Sequence, residues 1–228
     1  MSVLENLQPA RVMHFFEEIS AIPHGSHNTK AISDYCMAFA KDRGLECWQD
    51  ETNNVVIAKQ ASAGYEAAPA MILQGHLDMV CEKTADCPLD LEKEPIRLKT
   101  DGQWVWAEGT TLGGDDGIAV AYAMALIADR TIPHPPLEVI ITVDEEIGML
   151  GADVIDVSML KGRKMINLDS EDEGIFTVAC AGGATATISL NVNRKAVYGP
   201  CVRLCVDGLR GGHSGAEIHK NRANANKV

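Results

Sequence analysis

Apolar residues first recur at helical spacing at Val12, Phe15, Phe16 and Ile19, which predicts an amphipathic helix over 9–22 that Pro23 stops. After a loop carrying His24 and His27, Ile32, Tyr35, Cys36 and Phe39 share a second helical face, with Asn28 placed to cap its start and Gly44 to end it. The period then changes. Residues 45–49 and 54–59 are short runs separated by Asp50-Glu51-Thr52-Asn53, the pattern of two strands joined by a hairpin. Residues 70–74 form another short apolar run, ending at Gly75. The stretch 117–129 is almost continuously apolar and predicts a buried helix, while Leu-Glu-Val-Ile-Ile-Thr-Val at 137–143 reads as a strand buried on both faces. Residues 165–168 add a further short strand. Strand, helix and strand in that order predict an α/β core, and the polar stretch 86–102 predicts a long loop with a turn.

The pattern breaks at Gly182-Gly183. Beyond it, 184–193 and 200–206 alternate like two antiparallel strands with one wet face, so a domain boundary is placed near 183. The segment after it has only about 45 residues, a size at which a domain rarely stands alone, and the chain is therefore read as a fragment of something longer. No internal repeat or low-complexity tract interrupts this organisation.

Charge narrows the function classes. Twenty Lys and Arg against 32 Asp and Glu give a net charge of -12, a field that repels a phosphate backbone and argues against a nucleic-acid partner. No apolar segment has the length of a bilayer span, which argues against a membrane partner. The seven cysteines form no framework or zinc-ribbon spacing, and Met1-Ser2-Val3-Leu4-Glu5 does not begin a basic-then-apolar leader; a reducing cytoplasm is the compartment these features suggest.

Four acid-bearing segments lie just beyond the ends of predicted strands, where open α/β sheets place their ligands. In Gln74-Gly75-His76-Leu77-Asp78, His76 offers a ring nitrogen to a metal while Asp78 can accept the proton of the other nitrogen; a structural histidine is the alternative. In Thr111-Leu112-Gly113-Gly114-Asp115-Asp116-Gly117, the two acids either cap the following helix or serve a site that the flanking glycines let the backbone approach. In Val143-Asp144-Glu145-Glu146-Ile147-Gly148, neighbouring side chains of extended backbone point apart, so Glu145 and Glu146 can divide metal binding and proton transfer between them; a solvated acidic turn is the alternative. The fourth is Asn167-Leu168-Asp169-Ser170-Glu171-Asp172-Glu173.

Together, one His and several carboxylates match the mixed nitrogen and oxygen ligands that zinc, manganese or cobalt accept. Two such ions about 3.5 to 4 Å apart would lower the pKa of a shared water, and a free Glu beside them would take its proton as it attacks a carbonyl. A last segment, Gly211-Gly212-His213-Ser214-Gly215-Ala216, departs from a serine nucleophile elbow at Ala216 and lacks the strand and helix context. His213 there is either an ordinary loop histidine or a donor to a substrate oxyanion.

With these residues in view the chain resembles the cocatalytic zinc aminoacylase and carboxypeptidase family of metallopeptidases. The resemblance covers essentially the whole chain and is carried by Ile22-Pro23-His24-Gly25-Ser26, Gln74 to Val80, Thr111 to Gly117, Thr142 to Gly151, Asn167 to Glu171 and Gly211 to Gly215, in that order. It implies a catalytic domain over 1–183 with a mixed central sheet flanked by helices, then the start of an α+β lid or dimerisation domain over 184–228. It further implies that His76 and Asp169 bind one divalent ion, Glu146 the other, and Asp115 both, with zinc the first choice and cobalt or manganese the alternatives. Asp78 is then the residue that orients His76, Glu145 the general base that activates the water and protonates the leaving amine, and His213 a contact to the substrate carbonyl. Asn221 to Asn226 resembles the family's stretch near the substrate carboxylate, making Arg222 an anion contact, although Asn221 stands where glycine is usual.

The activity so implied is hydrolysis of unblocked dipeptides, Xaa-His included, by a cytoplasmic enzyme, with a homodimer as the assembly. Family members run on past the point corresponding to Val228, and a C-terminal histidine there completes the Glu146 metal's ligands. Two rivals follow: an N-acyl amino acid deacylase or aminopeptidase on the same scaffold, and a catalytically silent, truncated chain.

Overall fold

The structure, a computed structural model, describes residues 2–170, 173–179, 186–196, 198–212 and 217–228. It divides into two units, residues 1–178 and 179–228. The boundary expected near 183 lies outside the described residues.

In the first unit, α1 (Ala10–Ser20) and α2 (Lys30–Asp42) precede the antiparallel pair β1 (Glu46–Gln49) and β2 (Val55–Lys59). Then come β3 (Met71–His76), a small hairpin of β4 (Leu98–Thr100) and β5 (Val105–Ala107), and α3 (Gly114–Ala128). β6 (Leu137–Thr142), the short α4 (Leu150–Val154) and β7 (Lys164–Asn167) complete it. The sheet order is β1-β2-β6-β3-β7, with β2 antiparallel to β6 and both β6 and β7 parallel to β3. This is the α/β core that the residue pattern predicts, with the mixed central sheet flanked by helices that the family resemblance implies.

Strand alternation explains the layers. Val55, Ile57, Leu73, Val139 and Ile141 join α1, α2 and α3 in the main core, whereas Val56, Ile72 and Ile140, one residue out of phase, pack with Leu160 on the opposite face. All six residues of β6 are buried, as a strand covered on both faces requires. α3 carries small apolar residues on nearly every side and lies against both α1 and β3.

Several elements differ from expectation. Thr29 occupies the start of α2, and Asn28 instead donates from Nδ2 to the Glu92 carbonyl at 2.9 Å. The β4–β5 hairpin lies in and just beyond the stretch read as loop, because the exposed Trp104 and Trp106 and the polar residues around them lack a clear strand alternation. In the second unit, the described parts of 184–193 and 200–206 form no strand. Their apolar residues find no surface to bury against: Ile188 is 83% exposed and Leu204 93%. The only regular element among that unit's described residues is a 3-10 turn over Ile218–Lys220.

Candidate metal centre

The parallel strands β3, β6 and β7 deliver His76, the 144–149 loop and Asp169 to one edge of the sheet, and α3 begins at the same edge with Asp115 and Asp116. His76 is 1% exposed. Its Nδ1 lies 2.9 Å from the Asp78 main-chain carbonyl, which can only accept, so Nδ1 carries a proton and Nε2 faces the cleft. Nε2 is 3.1 Å from Asp115 Oδ1, 3.8 Å from Glu145 Oε2 and 3.9 Å from Asp169 Oδ2.

Two sets of side chains bring their donor atoms within 4.8 Å of one another: His76, Asp115 and Glu146, and His76, Asp116 and Asp169. One imidazole nitrogen with carboxylate oxygens is a donor set suited to a borderline divalent cation. Crowding of the acids fits the same chemistry. Burial raises the carboxyls of Glu145 and Glu146, with the charges of Asp169 and Asp115, respectively, adding to it. Asp116 is pushed up to about 7 by burial, with Asp169 and Asp115 contributing. Burial alone would depress His76, but the Asp78 hydrogen bond and the charges of Asp116, Asp78 and Asp169 outweigh it and carry the imidazole to about 10.

Asp78 is fully buried and does more than face the imidazole. Its carboxylate is 3.5 Å from His76 Nδ1, and it accepts the Ser26 hydroxyl at 2.8 Å and the backbone N–H groups of Glu145 and Glu146 at 3.0 and 3.3 Å. Burial opposes ionisation, but these donors and His76 prevail and hold the carboxyl at about 2. The Glu145–Glu146 turn is thereby fastened to β3's exit, and the His27 N–H donates to Asp144 at 2.6 Å beside it. A cavity of about 680 Å³ opens from Glu146 between Ser26, His27, Val80, Lys93 and Ile147.

Asp116, treated in the sequence as a possible helix cap, is 2% exposed and its Oδ2 accepts the His76 backbone N–H at 3.2 Å. The signal for this was Gly75: a Cβ there would lie 2.7 Å from Asp116 Oδ2 and 2.9 Å from Ala119 Cβ, so β3 and α3 meet only across a glycine. His213 lies outside the described residues. Arg222, in the second unit, holds Glu217 through two N–H···O bonds of 2.8 and 3.0 Å.

Residues 72–216 match the model of peptidase family M20/M25/M40. The chain belongs to that family. It is 43% identical over its whole length to the cytosol non-specific dipeptidase of Escherichia coli K12, of which it spans 47%. Among solved structures, aminoacylhistidine dipeptidase from Vibrio alginolyticus superposes with a TM-score of 0.74 at 35% identity, over 98% of this chain and 46% of that one. A tripeptidase from Staphylococcus aureus shares the fold at 22% identity and a TM-score of 0.59, over 71% of this chain and 43% of that one. The chain thus spans just under half the length of the two dipeptidases.

Proposed function

We propose that this chain carries the catalytic residues of a metal-dependent cytoplasmic dipeptidase that hydrolyses unblocked dipeptides, Xaa-His among them. The observation that carries the reading is Glu145: its Oε2 lies 3.8 Å from His76 Nε2 while Asp78 holds its backbone N–H at 3.0 Å, so its carboxylate stands beside the ligand cluster where it can move a proton. Burial raises its carboxyl, which favours the protonated form through which it must pass. His76 with Asp169 would hold one divalent ion, Glu146 the other, and Asp115 would be shared; zinc, cobalt and manganese all suit these donors. When bound, such ions polarise a carbonyl and make water more acidic.

In this reading Asp78 keeps the imidazole and the Glu145–Glu146 turn in place. Glu145 takes the proton of the attacking water and passes it to the leaving amine. His213 donates to the substrate carbonyl oxygen, and Arg222 exchanges Glu217 for the substrate carboxylate. Residues 1–183 would be the catalytic domain and 184–228 the start of a lid through which two copies pair. The test is a panel of dipeptides, tripeptides and N-acyl amino acids on the wild-type protein and Glu145→Gln. Turnover of free dipeptides alone, lost in the variant with metal content retained, supports the reading. Turnover of N-acyl amino acids in place of dipeptides, or a fully active variant, refutes it.

A further inference from the structure

The loop carrying Glu145 and Glu146 leaves β6 after Thr142 and returns at the start of α4, and one buried side chain from another part of the chain grips both of its ends. Asn54, 2% exposed and just ahead of β2, accepts the Val143 N–H on Oδ1 at 3.1 Å and donates from Nδ2 to the Gly151 carbonyl at 2.9 Å. The same amide donates to Asp50 Oδ2 at 2.7 Å, which ties the grip to the β1–β2 turn. Beside it the Gly151 N–H meets the Val143 carbonyl at 3.0 Å and the Leu150 N–H the Asp144 carbonyl at 3.1 Å. The approach is so close that a Cβ on Gly151 would fall 2.4 Å from both Asn54 Oδ1 and the Val143 carbonyl.

We infer that Asn54 is a positioning residue for the Glu145–Glu146 pair: it closes the base of the 144–150 loop while Asp78 holds its middle. This rests on the proposed roles of those two glutamates. Side chains held by a loop keep productive geometry only while its ends stay fixed, and a displacement of about 1 Å can cost about 100-fold in rate. A primary amide suits this place because it offers an acceptor and donors from one planar group, matching one backbone N–H and one carbonyl.

Asn54→Ser, too short to span both ends, is expected to lower kcat by about 100-fold with little change in KM. Hydrogen exchange at the amides of 144–150 should accelerate by about 30-fold while those of α3 and β3 do not change. The double variant Asp50→Asn with Asn54→Asp keeps a bond between the two turn residues and the acceptor for Val143, but leaves the Gly151 carbonyl without its donor. It separates loop positioning from general stability, and also decides the matter if Asn54→Ser does not fold. Exchange accelerated more in 144–150 than in α3 and β3 is the result expected of it. Unchanged exchange in that loop, or acceleration spread evenly over the unit, overturns the inference. Glu145→Gln is run alongside: if it retains full turnover, the proposed function has failed, whereas the exchange pattern still reports on Asn54 alone.

Discussion

Replacing Asp78 with asparagine changes no volume and removes one charge, so its cost can be worked from the four groups around that carboxylate. Ionisation is favoured in the folded chain enough to bring the carboxyl from 3.8 to about 2, which corresponds to about 2 kcal/mol of native stability. Asparagine keeps one acceptor but points an NH2 group at a neighbouring donor, either the Glu145 or the Glu146 N–H; that adds about 1 to 2 kcal/mol. For a chain of this size the sum lowers Tm by on the order of 10 °C. The folded carboxyl titrates below the unfolded one, so the electrostatic part is complete above the unfolded value of 3.8 and is lost as pH falls towards 2. Urea and thermal denaturation of the metal-free wild-type and Asp78→Asn proteins at a series of pH values together read both quantities. The electrostatic part of their difference should fall to about half by about pH 3. A Tm within about 2 °C of wild type, or a gap that does not narrow in acid, would refute the assignment of Asp78 as the buried anchor.

Two further outcomes follow from the same site. Gly75→Ala forces a methyl against Asp116 and Ala119, so it should destabilise the protein by about 1 to 3 kcal/mol and weaken metal uptake; wild-type values of both in an equilibrium unfolding and metal titration would contradict that packing. His76, held at about 10, is protonated at neutral pH in the metal-free protein, so coordination through Nε2 must expel about one proton. Calorimetric titrations in buffers of different ionisation enthalpy should show that release, and a heat independent of buffer would contradict it.

Much of this architecture was legible in periodicity. α1 and α2 follow from apolar residues three and four apart, and β6 from a run that could only be buried on both faces. The acids at the strand ends stood out because charge is rare beside such apolar segments. What escaped depends on tertiary contact. Asp116 and Asp115 are neighbours of one residue type, and only the meeting of β3 and α3 across Gly75 buries one of them. Asn54 opens the predicted run 54–59 right after a polar turn, where an asparagine is unremarkable, and its grip on Val143 and Gly151 spans 89 and 97 positions of sequence. Among the described residues after 183 the alternation forms no strand for the converse reason, since a wet-and-dry pattern makes a strand only where a partner covers the dry side.

Metal content tests the central claim most directly. Elemental analysis after exhaustive dialysis of wild type and Asp115→Asn, with folding checked by circular dichroism, should find divalent metal retained by the first and sharply reduced in the second. A folded wild-type chain that retains none, or equal content in the two proteins, would contradict a metal centre built on His76, Asp115, Glu146 and Asp169.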